Sequence, residues 1–185
     1  LIVSGHLPPL YTNEDFKKTR DEAISAFEIL GVNNFEFLKI PATTVHELPV
    51  ATINAKIGNF INIQNPEVVL IPFPDRHIDH RTIFEAAVVS CRPISCRSPK
   101  TILAYETLSE THWNVPGVEP SFIPELFVNI DKTIECKLKA LKQYESQITN
   151  NNSRSVDACK ALAHFRGSQN GCNYAEAFKV IRIVI

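Results

Sequence analysis

A short apolar run that ends at two prolines constrains the fold of this chain more than any other feature. The run covers residues 68–71 and is β-branched apart from one leucine. Pro72 and Pro74 have no backbone N–H to donate to a neighbouring strand, so the pattern predicts a buried strand that ends there. Polar residues then crowd into positions 75–80, and residues 81–91 carry apolar side chains at helical spacing. This order places the polar residues at the carboxyl edge of a sheet, where α/β proteins have their sites.

Strands and helices alternate along the rest of the chain. Strands are predicted over residues 1–4, 35–40, 101–106, 126–130 and 178–185. Helices are predicted over residues 13–30, 51–63 and 81–91, with two more that begin at Asp131 and near Val156. The alternation predicts one α/β domain over residues 1–185 with a mainly parallel sheet.

Composition excludes several classes of protein. With 185 residues, 44% of them hydrophobic, and a formal net charge of −1, the chain is typical of one globular domain and lacks the basic character of a nucleic-acid binder. No apolar run is long enough to cross a bilayer. The five cysteines contain no C-x-x-C pair, which indicates reduced thiols and leads us to expect a cytoplasmic protein.

The polar cluster consists of Asp75, His77, Asp79 and His80. These residues alone allow two interpretations. Imidazole is a common zinc ligand, and a neighbouring carboxylate fixes the tautomer of a ligating ring. Alternatively, the cluster is a polar loop that caps the following helix, with Asp79 as the N-cap residue. The sequence contains no G-x-S-x-G, G-x-G-x-x-G or P-loop motif, which disfavours a serine hydrolase and the usual nucleotide sites.

Residues 75–80 resemble the D-x-H-x-D-H motif of the LmbE/PIG-L family of zinc-dependent de-N-acetylases. Other stretches resemble family motifs in the same order along the chain. They are residues 1–5, the R-x-x-E-like helix of residues 20–31, Tyr105-Glu106, residues 122–131, residues 144–147 and residues 174–178. The resemblance covers almost the whole chain and implies a Rossmann-like three-layer α/β/α fold.

The resemblance also implies roles for individual residues. His80 would ligate a single zinc ion, and His77 would stabilise the tetrahedral oxyanion or protonate the leaving amine. Asp79 would orient its neighbours, and Arg20 would bind the sugar. The family's H-P-D-D motif, which supplies the other zinc ligands and the general base, does not occur in these residues. We therefore expect that the first strand and its metal-binding loop are missing from the N-terminus of this sequence.

These expectations lead to one main hypothesis and two rivals. The main hypothesis is a zinc-dependent amidase that removes the N-acetyl group, by cleaving a linear amide C–N bond, from an N-acetylated amino sugar such as a GlcNAc-type conjugate. Its expected partners are this small molecule and further copies of itself as a homo-oligomer, with no nucleic acid and no membrane span. The first rival is a non-catalytic relative that binds a sugar or nucleotide, and the second is an unrelated α/β binding domain.

Overall fold

The computed structural model describes residues 1–150 and 152–185. The strands of this part are β1 (Ile2–Gly5), β2 (Phe37–Pro41), β3 (Val68–Pro72), β4 (Thr101–Tyr105), β5 (Leu126–Asn129) and β6 (Ala175–Ile183). The helices are α1 (Asn13–Leu30), α2 (Val50–Gln64), α3 (Ile78–Ser90), α4 (Ile134–Leu141) and α5 (Val156–Ser168). Short 3₁₀ turns lie at Val45–Glu47 and Thr111–Trp113. The alternation confirms the predicted α/β class.

The strands form two sheets rather than one. β1 pairs in parallel with β2, and the other strands form a second sheet in the order β3-β4-β6-β5. In this second sheet β3 and β4 run parallel, whereas β6 runs antiparallel to both β4 and β5. The prediction of a mainly parallel sheet is therefore wrong, because the larger sheet is mixed and mostly antiparallel.

The direction of β6 follows from the connection that precedes it. A single helix between two strands returns the chain to its starting edge and allows parallel pairing. Between β5 and β6 the chain passes through two helices, α4 and α5, so it is reversed once more and β6 arrives antiparallel to β5. Alternation of apolar residues identifies the faces of a strand but not its direction, so the sequence pattern did not reveal this.

Three helix ends differ from the predicted ones. Helix α1 is capped by Thr12, whose side chain and that of Asp15 form a capping box, so the cap lies one residue before the predicted Asn13. Its C-terminal end is as predicted, with Gly31 in the left-handed conformation at φ 70°. Helix α3 begins at Ile78, earlier than predicted, and helix α4 begins at Ile134, after the predicted start at Asp131.

The main core lies where α2 and α3 pack against β3 and β4. Its buried members include Val45, Ile53, Ile57, Ile71, Ala87, Ile102 and Ala104. β3 was expected to be fully buried, but Val68 and Leu70 are each 52% exposed, whereas Ile71 is 3% exposed. β3 is an edge strand of its sheet, so only part of it is covered.

A second, smaller core cluster joins α4 and α5. It consists of Ile134, Leu138 and Ala163, with the ring of Tyr174 packed against it. Helix α1 packs on α4, and α5 packs on β6. Among the described residues, no helix has both the length and the apolar character that a membrane crossing needs.

Candidate functional site

The polar cluster lies at the carboxyl end of β3, as the sequence predicts, and it opens into a cavity of about 560 Å³. We call this the histidine cavity, because His6, His77 and His80 all line it together with Asp79 and Tyr105. The end of β1, the start of α3 and the end of β4 meet there. Carboxyl ends of neighbouring strands therefore build the site, which is the usual arrangement in α/β proteins.

Asp75 is the centre of the hydrogen-bond network at this cavity. Its carboxylate is 1% exposed. Oδ1 lies 2.8 Å from His80 Nδ1 and accepts the His77 backbone N–H at 3.0 Å. Oδ2 accepts the hydroxyl of Thr111 at 2.7 Å. Asp75 was predicted as a member of the polar cluster without a role of its own, and it joins both histidines to the long loop after β4.

The environment of Asp75 keeps its carboxylate ionised. Burial alone would raise the pKa of Asp75, because a charged group is poorly solvated there. Hydrogen bonds from the His80 ring, the Thr111 hydroxyl and the His77 backbone outweigh this effect and hold the pKa of Asp75 below its ordinary value. An ionised carboxylate only accepts hydrogen bonds, which determines the protonation of its partner ring.

The two histidines carry their protons on opposite ring nitrogens. His77 Nδ1 accepts the backbone N–H of Asp79 at 3.1 Å, so the proton of the neutral ring is on Nε2. His80 Nδ1 donates to the Asp75 carboxylate, so its Nε2 has a free lone pair. The rings stack with their centroids 4.7 Å apart. The His77 ring therefore provides a hydrogen-bond donor at Nε2, and the adjacent His80 ring provides a lone pair at Nε2.

Asp79 is buried at the first turn of α3 and is not the N-cap residue. The cap is His77, which accepts the N–H of Asp79. The side chain of Asp79 is 1% exposed, and its Oδ2 accepts the backbone N–H of Thr43 at 2.9 Å. Its Oδ1 is buried without a hydrogen-bond partner among the described residues. The interpretation of the cluster as a helix cap formed by Asp79 is therefore wrong, although a capped helix does start there.

Two residues of the site were not found from the sequence. His6 was not predicted as a site residue, but its ring lines the histidine cavity and stacks on Tyr11 with centroids 4.0 Å apart. Thr111 was only part of a long loop, and it reaches Asp75 from 36 positions along the chain. The one available signal was the length of that loop, since long loops within compact domains are usually functional.

The structure does not bring Arg20 to the residues that line the histidine cavity. Arg20 is exposed on α1, and its guanidinium Cζ lies 5.8 Å from the ring centroid of Phe37. The part that Arg20 plays in substrate binding stays a prediction. His112 does not line this cavity either, and its Nε2 lies 3.0 Å from Oε2 of Glu106.

The described residues fit a bound metal ion only in part. A metal-bound imidazole usually donates its other N–H to a carboxylate, and the pair of His80 and Asp75 has this arrangement. The unpaired Oδ1 of Asp79 also fits a cationic neighbour. However, residues 1–150 and 152–185 contain no group of three or more His, Cys, Asp or Glu side chains that could hold a metal. The described residues therefore supply only part of a set of metal ligands, and His80 is the residue whose contacts fit that role.

One known family model matches the stretch of the chain that contains most of the residues of this site. Residues 4–91 match the family model PIG-L, described as GlcNAc-PI de-N-acetylase. The chain is therefore similar to this family over just under half of its length. The matched stretch includes His6, Asp75, His77, Asp79 and His80, so the resemblance predicted from the sequence is confirmed over the part that builds the histidine cavity.

Two curated relatives extend the similarity beyond this stretch. The uncharacterized deacetylase YaiS of Escherichia coli is 29% identical over 133 residues, which cover 68% of this chain and 64% of that protein. The diacetylchitobiose deacetylase of Thermococcus kodakarensis is 26% identical over 195 residues, which cover 97% of this chain and 66% of that protein. The chain thus spans just under two thirds of the length of each of these two relatives.

A solved structure shares the fold of this chain. The N,N'-diacetylchitobiose deacetylase of Pyrococcus horikoshii superposes with a TM-score of 0.73 at 21% sequence identity. The match covers 97% of this chain and 70% of that one. At this identity the likeness shows a shared α/β fold.

Proposed function

We propose that this protein is a zinc-dependent hydrolase that removes the N-acetyl group from an N-acetylated amino sugar of the GlcNAc type. The match to the PIG-L family model and the two relatives named as deacetylases support this proposal. The observation that carries it is the different partners of two adjacent rings at one cavity: His77 Nδ1 accepts the Asp79 backbone N–H, whereas His80 Nδ1 lies 2.8 Å from the Asp75 carboxylate. A hydrolase of amides needs a donor for the developing oxyanion, and the His77 ring offers one.

The reaction joins a water oxygen to the carbonyl carbon, breaks the linear amide C–N bond, and moves a proton to the departing amine. The Nε2–H of His77 would donate to the carbonyl oxygen as it becomes negative, or to the amine as it leaves. The backbone N–H of residue 79 keeps this ring in the required tautomer, and the buried Asp79 carboxylate would orient the start of α3 through its bond to Thr43. The products are acetate and the free amino sugar.

We propose that His80 holds one zinc ion through Nε2, with Asp75 fixing the orientation of the ring. Bound zinc would polarise the substrate carbonyl and lower the pKa of a water molecule. The carboxylate of Asp75 holds the His80 ring in one orientation through the 2.8 Å contact at Nδ1. Asp75 is thus a positioning residue for the ligand.

The test is a metal and activity analysis of protein purified without chelator. We expect tightly held zinc and release of acetate from N-acetylglucosamine or N,N'-diacetylchitobiose. His80→Ala should lower the zinc content. His77→Ala should retain zinc but reduce turnover by about a hundredfold or more, because an oxyanion donor or general acid is lost. His46→Ala, which changes an exposed histidine outside the cavity, should alter neither quantity.

Two results would contradict the proposal. Protein that holds no divalent metal and hydrolyses neither sugar after zinc is added would favour the non-catalytic relative instead. Equal loss of zinc in His77→Ala and His80→Ala would show that the two rings do not have the separate roles proposed above.

A further inference from the structure

A buried ion pair of Arg166 and Glu106 lies close to the candidate site but lines no part of the histidine cavity. Arg166 is 8% exposed on α5, and Glu106 directly follows Tyr105, the last residue of β4 and part of the cavity wall. The guanidinium donates from Nε and Nη2 to the two carboxylate oxygens of Glu106, at 2.9 and 2.7 Å. Because neither side chain lines the cavity, any effect of this pair on the site must pass through other residues.

The Arg166 guanidinium is held by aromatic rings as well as by the opposite charge. Its Cζ lies 5.7 Å from the ring centroid of Phe122 and 5.4 Å from that of Phe165. A planar guanidinium binds both oxygens of a carboxylate at once, which a lysine ammonium cannot do in the same geometry. The desolvation of two charges offsets much of their attraction, so a buried ion pair is weak evidence for a role in stability alone. The specific consequence of this pair is a fixed orientation of the Glu106 carboxylate.

The Glu106 carboxylate in turn holds the 3₁₀ turn Thr111–Trp113. Its Oε2 lies 3.0 Å from Nε2 of His112, the middle residue of that turn. The preceding residue, Thr111, donates its hydroxyl to Asp75 Oδ2 at 2.7 Å. Two consecutive residues of one short turn thus contact two buried carboxylates. The position of Thr111 relative to Asp75 therefore depends on Glu106.

We propose that Arg166 is a positioning residue, which acts through Glu106 and the 3₁₀ turn to set the orientation of the His80 ring. Arg166 fixes the Glu106 carboxylate, and that carboxylate holds the turn. Thr111 on the turn then orients Asp75, whose Oδ1 lies 2.8 Å from His80 Nδ1. This inference rests on the proposed function, because His80 is the proposed zinc ligand, and it adds α5 to the elements that position this ligand.

The first test is NMR spectroscopy of the full chain, labelled with ¹⁵N on histidine and measured before zinc is added. The ¹⁵N shifts of Nδ1 and Nε2 report which ring nitrogen carries the proton. In the unaltered protein we expect the proton of His80 on Nδ1 and that of His77 on Nε2. Arg166→Lys keeps the positive charge but not the planar fork, so His80 should show both tautomers. His77 should stay unchanged, because its Nδ1 partner is a backbone N–H at the start of α3, whereas a general loosening of the fold would alter both rings.

The second test is zinc affinity, measured by competition with a coloured chelator. Loss of a residue that supports a metal ligand costs about 10–100-fold in metal affinity. Arg166 acts at a greater distance, so Arg166→Lys should weaken zinc binding by about tenfold, the lower end of this range. Thr111→Val should have a similar effect. The double variant should bind zinc about as weakly as Thr111→Val alone, because the two residues act along one path.

Arg154→Lys is the matched control, because Arg154 pairs with Glu110 on the same loop but has a 53% exposed side chain. A solvent-exposed pair holds its partners weakly, so this change should alter neither the tautomer of His80 nor the zinc affinity. If Arg166→Lys does not fold, His112→Ala takes its place, since His112 is exposed and joins the turn to the ion pair. The same appearance of both His80 tautomers is then expected.

Three results would overturn the positioning role: an unchanged His80 ring in both Arg166→Lys and His112→Ala, an equal effect of Arg154→Lys, or losses of zinc affinity that multiply in the double variant. If His80 changes tautomer but the unaltered protein binds no zinc, the positioning role stands and the proposed function fails. If the unaltered protein binds zinc and releases acetate while the variants leave His80 unaffected, the proposed function stands and the positioning role fails.

Discussion

Replacing Thr111 with valine tests how strongly the Asp75 carboxylate depends on the long loop after β4. Thr111 is 4% exposed, and its hydroxyl donates to Asp75 Oδ2 at 2.7 Å while accepting the Thr107 backbone N–H at 2.8 Å. Valine has nearly the same shape but makes neither bond. Loss of a hydrogen bond to a charged group costs about 1.5–3 kcal/mol. We therefore expect the free energy of unfolding to fall by about 2–3 kcal/mol.

The measurement is urea unfolding followed by far-ultraviolet circular dichroism, supported by the melting temperature. For a chain of this size, each kcal/mol shifts the midpoint by about 2–4 °C, so the expected shift is about 4–12 °C. Thr44→Val is the matched control, because the Thr44 hydroxyl donates to a neutral acceptor, the carbonyl of Pro41, at 2.9 Å. That change should cost about 0.5–1.5 kcal/mol.

Trp113 is the one tryptophan of the chain, so its fluorescence reports on the loop that carries Thr111. We expect Thr111→Val to shift the fluorescence transition to lower urea at least as far as the dichroism transition, because the loop loses its anchor first. If Thr111→Val destabilises the protein no more than Thr44→Val by both probes, the hydroxyl does not support the buried carboxylate. The argument that Asp75 joins the loop to the histidines would then be wrong.

Two further predictions concern structural positions. Burial would raise the pKa of Glu106, but hydrogen bonds from His112 and Arg166 and the charge of Arg166 hold it below its ordinary value of 4.5. A carboxyl with a lowered folded-state pKa gives stability that is lost as the pH falls through that pKa. Between about pH 5 and pH 3, the free energy of unfolding measured in urea should therefore fall more steeply for the unaltered protein than for Glu106→Gln. Parallel plots of this free energy against pH would contradict the prediction. In α5, a Cβ on Gly167 would lie 2.6 Å from backbone of the following turn, so Gly167→Ala should cost about 1–3 kcal/mol. In α2, a Cβ on Gly58 would meet only ordinary contacts, so Gly58→Ala should stabilise the protein by up to about 1 kcal/mol. Thermal melts of both variants measure this contrast. A higher melting temperature for Gly167→Ala would refute the prediction.

Local sequence signals predicted most of the elements and the position of the site. Helical spacing with a glycine at the C-cap located α1, and the prolines after residues 68–71 located the end of β3. These signals are local, since caps and turns depend on residues a few positions apart. The strand, polar loop and helix pattern therefore placed His77, Asp79 and His80 correctly at the end of β3.

Long-range pairing was the part that the sequence did not reveal. The direction of β6 depends on two helices between it and β5, and no residue of β6 encodes this. The separation of β1 and β2 from the larger sheet is also a matter of tertiary arrangement. Likewise, Thr111 contacts Asp75 from 36 positions away, a distance at which periodicity carries no information.

The spacing of the two histidines gives no indication that their rings differ, and the structure explains the difference by their neighbours. Residues 77 and 80 are one helical turn apart, so their side chains lie on the same side of the start of α3. Each Nδ1 then has a different partner: a backbone N–H at the helix start for His77, and the Asp75 carboxylate for His80. A free N–H group belongs to every helix start, so the first partner follows from the cap alone. The second partner needs Asp75 to be ionised while buried, and the Thr111 hydroxyl from the distant loop helps to lower the pKa of Asp75. The lone pair of His80 Nε2 is therefore a product of tertiary structure, whereas the donor on His77 is a product of local structure.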